Sequence, residues 1–397
     1  MNNVQNLSQF AFFVNDKILS EELTLDEYVT TDNLLQDKQG KVRADSLPAQ
    51  SSNVTKYSKG DILLSNIRPY LKKIWYADTA GGCSADVLVL RAFPHIEPRF
   101  LYYVLLRDDF FNHVMRGSKG TKMPRGDKSH IMDFVVPNFT LQKQSKISNL
   151  LTLLDTKIAL NNRINSELEE MAKTLYDYWF VQFDFPDANG NPYKTSGGKM
   201  VYNPILKRDI PEGWSDKTLS EIANITMGQS PEGCSYNEEG NGTVFFQGST
   251  DFGWLFPTTR QYTTAPARMA KKGDILLSVR APVGDMNIAN SDCCIGRGLA
   301  ALNSKSGSDG FLFYVMKYFK QIFDRRNSEG TTFGSITKTD LHTLILAHPT
   351  TDLLKKYDDI VSNYNKMIFE RSLENQELIK LRDWLLPMLM NGQVTVK

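Results

Sequence analysis

The sequence predicts an α+β protein made of two copies of one design, each copy ending in a long helix. Three observations carry this. The phrase "KGDILLS" occurs at Lys59–Ser65 and again at Lys272–Ser278, 213 positions apart. Downstream, "GSKGTKMPRGDKSHIMDFVVPNFT" (Gly117–Thr140) lines up with "NSEGTTFGSITKTDLHTLILAHPT" (Asn327–Thr350), the offset drifting only between 210 and 212. Each copy then enters a long pattern of helical spacing. A period this long signals duplication of a whole domain, because solenoid repeats run at ~20–50 residues.

The first unit covers residues 1–140. "ILLS" after Gly-Asp reads as a turn entering a buried strand, and "DVLVLRA" (Asp86–Ala92) as a second strand rich in β-formers. "PRFLYYVLLRDDFFNHVM" (Pro98–Met115) has helical apolar spacing, and "FLFYVMKYFKQIFDRR" (Phe311–Arg326) is its counterpart. A helix is expected over 141–181 and a linker over 182–213. The linker segment is dense in Gly, Pro, Asn and Ser at Phe183–Pro204. The second unit covers 214–350, with Trp214 anchoring its start, and a second helix covers 351–391.

Both helices carry a heptad stripe. In the first, Ile147, Leu154, Leu168 and Leu175 are seven-residue partners, with Leu151, Ile158, Ala172 and Trp179 one step across. Asn161 and Asn165 interrupt it. The second repeats the pattern with Tyr357, Tyr364, Leu378 and Leu385, interrupted by Arg371 and Asn375, 210 residues after the asparagines. Polar residues at such positions fix register at some cost in stability. Forty residues at ~1.5 Å rise span roughly 60 Å. Each helix either packs on its own domain or pairs with the other as an antiparallel coiled coil. Helices this long beside domains this small favour the pair.

Composition excludes several classes. With 41% hydrophobic and 23% charged residues the chain reads as soluble and globular, and its apolar runs fall short of the ~20 residues of a membrane helix. The start, "MNNVQNLSQF", has no secretory pattern. Four cysteines (Cys83, Cys234, Cys293, Cys294) lack metal-ligand spacing, so a reducing, cytoplasmic setting is expected. Catalysis finds no support either. "NPY" at Asn191–Tyr193 lacks the second proline of an amino-methyltransferase tetrad, and "GGK" at Gly197–Lys199 lacks the earlier glycine of a phosphate-binding loop. The five histidines form no metal-like pair.

Net charge is only +1, but a balanced total can hide a basic face. Arg116, Lys119, Lys122, Arg125 and Lys128 stand against Asp127 alone, a net +4 in thirteen positions. Glycines at 117, 120 and 126 would let that loop approach a phosphate backbone. In the second unit Lys317, Lys320, Arg325 and Arg326 are opposed only by Asp324, and Lys338 follows. Lys72 and Lys73 suit phosphate contacts. Arg68, Arg125, Arg280 and Arg297 suit bidentate contacts to guanine. Charge runs are also ordinary solvated surface, and Arg68 and Arg280, as part of the repeated scaffold, have a structural reading. Of the aromatics nearby (Tyr70, Trp75, Tyr76, Trp254), most are expected in the core.

The duplicated "KGDILLS…R" phrases, "GTTFGSITKTDL", the linker "WFVQFDFPDANGNPYKTSGGKMV" and "IPEGW" (Ile210–Trp214) together resemble the specificity subunit of Type I restriction–modification systems, across essentially the whole chain. The resemblance implies two target recognition domains, each reading one half of a split site in double-stranded DNA. The unlike sequences around the scaffold phrases imply an asymmetric site. It also implies that the two helices set the spacing and dock two methyltransferase (modification) subunits, which restriction/translocase subunits join. It implies no catalytic centre and no cofactor on this chain. Adenine methyltransferase and ATP-dependent endonuclease activities, with S-adenosylmethionine, ATP and Mg, would belong to the partners. A stand-alone sequence-specific DNA-binding or regulatory protein is the alternative.

Overall fold

The computed structural model describes residues 4–48, 52–280, 282–328 and 335–396, with the side chains of 322–328 left out of the description. Contacts divide the chain into two compact units. Unit 1 is residues 1–160 with 374–397, and unit 2 is residues 161–373.

In unit 1 the central sheet is β1 (Ala11–Phe13), β2 (Ile62–Ser65), β3 (Ile74–Tyr76) and β4 (Val87–Ala92), antiparallel in the order β1-β4-β2-β3. Strand β2 is "ILLS", and all four residues are buried because both faces are covered. Ile62 and Leu64 enter the core under the helices, whereas Leu63 enters the core against a second sheet. That sheet orders Lys17–Leu19, Asn53–Tyr57, Gly81–Cys83 and Tyr28–Val29, the last pair parallel. Helices α1 (Pro98–Leu105), α2 (Asp108–Arg116) and α3 (Lys128–Met132) follow. The single helix expected over Pro98–Met115 is broken at Leu106–Arg107. Arg107 is extended (φ −70°, ψ 145°), and Asp108 and Asp109 begin a new first turn where acidic side chains suit the helix dipole. Strand Val4–Asn6 pairs with Val135–Pro137, tying the start of the unit to the residues just ahead of α4 (Leu141–Tyr176).

Unit 2 repeats the plan. Its central sheet is β5 (Ala223–Met227), β6 (Ile275–Ser278), β7 (Met286–Ile288) and β8 (Leu299–Ser304), in the matching order β5-β8-β6-β7. Its helices are α5 (Leu219–Ile222), opened by a Thr218/Glu221 capping box, then α6 (Asp309–Ser328) and α7 (Lys338–His342), and finally α8 (Thr351–Met390). Ile275 and Leu277 face the helical core and Leu276 the second sheet. Strand Ser215–Thr218 closes the unit against Ile345–His348.

Each letter of the repeated phrase has a place in this plan. Gly60 and Gly273 both sit at φ +94°, a left-handed turn that favours glycine. Asp61 and Asp274 are both buried, and each accepts from the amide three residues back, Ser58 at 2.7 Å and Lys271 at 2.8 Å. The next three residues are the buried strand. The hydroxyls of Ser65 and Ser278 donate to the carbonyls of Ile67 (2.9 Å) and Arg280 (2.8 Å), turning the chain at the strand end.

Helices α4 and α8 pack together as the heptad stripes predict, and antiparallel. Every stripe residue named above is buried or half-buried. In unit 1 the start of α4 meets the end of α8 through Lys157–Glu374 (3.2 Å) and Asp155–Arg382 (2.9 Å). In unit 2 the end of α4 meets the start of α8 through Asn165–Ser372 (3.3 Å) and Tyr357 donating to the Ala172 carbonyl (3.3 Å). Asn161, Asn165 and Asn375 are buried, while Arg371 turns back to its own helix at the Met367 carbonyl (3.1 Å). The helix ends complete the cores. Leu386, Leu389 and Met390 join the core of unit 1, and Tyr176, Trp179 and Phe180, 210 positions earlier, join that of unit 2. A π-helical turn at Asp177–Val181 brings Trp179 and Phe180 inward together.

The 182–213 segment is folded. Met200–Asn203 and Arg208–Pro211 form a hairpin, and Phe185 stacks on both Tyr193 (4.6 Å) and Trp214 (5.5 Å). Trp214 is buried in the core of unit 2.

Candidate nucleic-acid interface

In unit 1 the chain leaves β2 through Asn66, Ile67 and Arg68. Arg68 and Lys72 both adopt left-handed backbone (φ +50° and +51°) around the turn Pro69–Leu71, a conformation that costs a side-chain-bearing residue about 1 kcal/mol or more. The basic loop hooks onto this turn through its backbone. The Arg68 amide donates to the Pro124 carbonyl (2.8 Å), and the Gly126 amide to the Asn66 carbonyl (3.0 Å). Within the loop, Lys119 and Arg125 exchange both backbone bonds at 2.9 Å, closing a hairpin with Lys122 at its exposed tip.

Side chains then fix the hairpin's flanks. Lys119 pairs with Asp127 (2.8 Å), and Asp127 caps α3 by accepting from the amides of Ser129 and His130. The Lys119 ammonium is the main reason the Asp127 carboxyl sits below its ordinary range. Arg125, largely exposed, gives Nη2 to Asp86 at 2.8 Å. Beneath, His113 and His130 stack with ring centroids 4.1 Å apart, each Nε2 bonded to the other's backbone carbonyl.

The remaining candidates lie elsewhere. Arg116, at the end of α2, lines a cavity of about 390 Å³ with Arg107, His113 and Met390. Lys128 begins α3 with its ammonium 5.6 Å from the Phe13 ring. Lys72 shares Asp108 with Lys38 (2.9 and 2.7 Å), and the Lys73 ammonium donates to the Thr31 carbonyl. These two lysines therefore tie the loop to the fold.

Unit 2 repeats the backbone attachment. Arg280, exposed, bridges to Ser335, and the Ile336 amide donates to the Val279 carbonyl (2.8 Å). Lys338 is exposed and begins α7, 210 positions after Lys128. The run in α6 is partly used internally, with Lys317 paired to Glu169 and Lys320 to Asp285. Arg325 and Arg326 lie near the end of α6, and their side chains are outside the described residues. Residues 330–334 of "GTTFGSITKTDL" are likewise outside them.

Arg297 is the most exactingly supported candidate. It is exposed at the centre of the turn Ile295–Leu299, which is gripped on both sides. On one side the amides of Gly228 and Gln229 donate to the carbonyls of Leu299 (2.9 Å) and Ile295 (3.0 Å). On the other the amides of Gly296 and Gly298 donate to those of Phe246 (2.8 Å) and Gln247 (3.3 Å). A Cβ at Gly296 or Gly298 would meet Gln247 backbone atoms at 2.9 or 2.7 Å, so glycine is required at both. The Ser230 hydroxyl accepts from the Arg297 amide (3.3 Å) and from Gln247 Nε2 (2.9 Å). Gln247 and Ser230 escape a reading by charge because both are neutral, and the "GRG" flanking Arg297 was the only local signal. Of the aromatics, Trp75 is buried, whereas Tyr70 and Trp254 are half exposed.

Two stretches, residues 26–170 and 211–380, match the family model described as the type I restriction modification DNA specificity domain. The chain belongs to the type I restriction modification DNA specificity family. Relatives of this specificity-family chain agree. It is 29% identical over 312 residues, 76% of this chain and 69% of the relative, to a putative type I restriction enzyme MjaX specificity subunit from Methanocaldococcus jannaschii. It is 24% identical over 419 aligned positions, 88% of this chain and 89% of the relative, to the type I restriction enzyme HindI specificity subunit of Haemophilus influenzae. The crystal structure of a Type-I restriction-modification system S subunit from M. genitalium, 17% identical, matches over 98% of this chain and 96% of that one with a TM-score of 0.58, which shows a shared fold. The specificity-family chain is thus a DNA-recognition subunit. Among its described residues no helix is long and apolar enough to cross a membrane. No group of three or more His, Cys, Asp or Glu among them is placed to hold a metal ion.

Proposed function

We propose that each unit reads one half of a split, asymmetric DNA site, and that the paired helices set the gap between the halves and dock two methyltransferase subunits. The observation that carries this reading is the repeated plan. One scaffold is built twice, with the same sheet order and the same turn, on two helices that pair antiparallel. A split-site reader needs two modules held at a fixed separation, because half-sites recur on a lattice of ~34 Å per turn of the duplex.

The faces differ where a reader should. Unit 1 carries a basic hairpin and adds Lys17–Leu19 to one edge of its second sheet. Unit 2 adds Tyr236–Asn237 and Gln261–Thr263 to the other edge. Unlike faces on one scaffold favour unlike half-sites. Exposed apolar side chains along the helices, including Leu153, Met171, Leu381 and Trp384, suit partner subunits better than a stand-alone regulator.

In this reading the chain supplies no catalysis and binds no cofactor. S-adenosylmethionine, ATP and Mg, and with them adenine methylation, DNA translocation and cleavage, belong to the modification and restriction subunits. Co-expression with the neighbouring methyltransferase subunit, followed by long-read mapping of methylated bases, tests it. The expected result is one split motif with unlike halves and a fixed gap. Failure to form a complex would favour the stand-alone regulator.

A further inference from the structure

We propose that the turn joining the second sheet to the central sheet is the base-reading turn of each unit, and that Arg297 in unit 2 and Arg125 in unit 1 are its guanine-reading side chains. This deepens the DNA-recognition reading above and rests on it. The two turns are structurally equivalent. In unit 1 the Val87 amide closes the turn on the Ser84 carbonyl (3.0 Å), and the Asn66 amide donates to Asp86 (2.8 Å). In unit 2 the Leu299 amide closes on Gly296 (3.0 Å), and the Val279 amide donates to Gly298 (2.9 Å). Register gives the same match, since Ser65 pairs with Val87 and Ser278 with Leu299.

The exposed central residue of the turn is Ala85 in unit 1 and Arg297 in unit 2. Unit 1 thus lacks an arginine on the turn itself but acquires one from the hairpin, where Arg125 is anchored on the turn residue Asp86. Two different routes deliver a guanidinium to one place on one scaffold. Both arginines are exposed and both are held at the backbone, Arg125 by the Lys119 exchange and Arg297 by the glycine grip. A guanidinium has five donors, so the bond to Asp86 leaves a fork to spare. A planar fork on a rigid turn is what bidentate recognition of guanine O6 and N7 requires, and a correct pair discriminates roughly 5- to 150-fold against the wrong base.

Arg68 and Arg280, by contrast, lie on the turn after β2 and β6, whose backbone carries the hairpin attachment, and they are not one shared position, because the Ser65 and Ser278 hydroxyls donate to Ile67 and to Arg280.

The test uses the full chain co-expressed with its methyltransferase subunit and genome-wide mapping of methylated motifs. Arg297→Lys and Arg297→Ala are each expected to relax one guanine position in one half-site, leaving the other half and the gap unchanged. Arg125→Lys and Arg125→Ala are expected to do the same in the other half. The lysine variants keep the charge and lose the fork, so they separate base reading from phosphate attraction. An unchanged motif with uniformly weaker methylation would make both arginines phosphate contacts and overturn the inference. Relaxation of both halves by one variant overturns it too. A wild-type complex that methylates no split motif takes down the DNA-recognition reading itself, a result separable from failure of the variants alone.

Discussion

At the turn before the central strand, the two units hold the same aspartate with different partners. Asp61 meets Arg91 in a two-pronged ion pair (both bonds 2.7 Å), whereas Asp274 accepts a single amide bond from Asn303 (3.0 Å). The turn itself is the same in both, down to the amide three residues back and the flanking bonds to Ala77 and Ala289. Duplication has therefore kept the backbone solution and exchanged the electrostatics. The difference shows which part of the phrase the fold demands. Glycine, aspartate, the apolar triplet and serine all have backbone or core roles, and the aspartate's outer partner is free to vary.

Removing the aspartate should separate the two cases. Asp61→Ala leaves the Arg91 guanidinium, about one-third exposed, without its main partner as well as losing the turn cap, and is expected to cost about 2–3 kcal/mol. Asp274→Ala loses the cap and one neutral amide bond, for about 1–2 kcal/mol. Hydrogen exchange at β2 and β6 reads the local stability of each unit. A larger loss at Asp274 would show that the cap, not the ion pair, dominates in both.

Much of this was legible in the sequence because the signals are local. "KGDILLS" carries its own turn chemistry, and the stripes on α4 and α8 follow from spacing alone. What sequence could not supply were the partners of charged groups, which tertiary approach decides. Lys72 and Lys317 read as free cations, yet Asp108 and Glu169 hold them. The chemistry of Arg125 and Arg297 is visible in the sequence, but their common turn emerges only when the hairpin docks on Asp86 and two glycines pack on Gln247. The 182–213 segment reads as a linker from its glycines, prolines and asparagines, while three of its four aromatics, Phe183, Phe185 and Tyr193, take part in ring contacts. Composition averages over such positions, and packing does not.

The helix pair repeats the contrast at a smaller scale. In unit 1 Asp155 takes bonds from Arg382 (2.9 Å) and the Tyr103 hydroxyl (2.6 Å). The positions 210 residues away in unit 2 are Asn365 and Ala172, where Tyr176, Tyr314 and Tyr357 gather instead. Asp155→Ala should therefore cost about 2 kcal/mol by stranding Arg382, whereas the double change Asp155→Leu with Arg382→Met should be close to neutral. Tyr357→Phe in unit 2 loses one hydrogen bond, about 1 kcal/mol. Denaturation midpoints of the three variants order these effects. A double variant as weak as Asp155→Ala would mean that the ion pair contributes more than a well-packed apolar pair.

The smallest contrast is in the caps of α3 and α7. Asp127 and Asp340 both hold their protons less tightly than an ordinary aspartate at 3.8, for different reasons. Asp127 is held down chiefly by the Lys119 ammonium, and Asp340 by the hydroxyl and amide of Thr337 (2.6 and 2.8 Å). A carboxyl depressed on folding stabilises the folded state above its unfolded value, and that contribution disappears as pH falls through about 4 and below. Both caps should weaken together on acidification. Only the Asp127 cap rests on a full charge, so its titration midpoint should rise in high salt, as screening weakens the exposed Lys119 pair, while that of Asp340 stays put. Carboxyl-carbon NMR titrations at low and high salt measure both residues in one sample. Equal salt shifts would place the two caps on the same footing and remove charge as the difference between them.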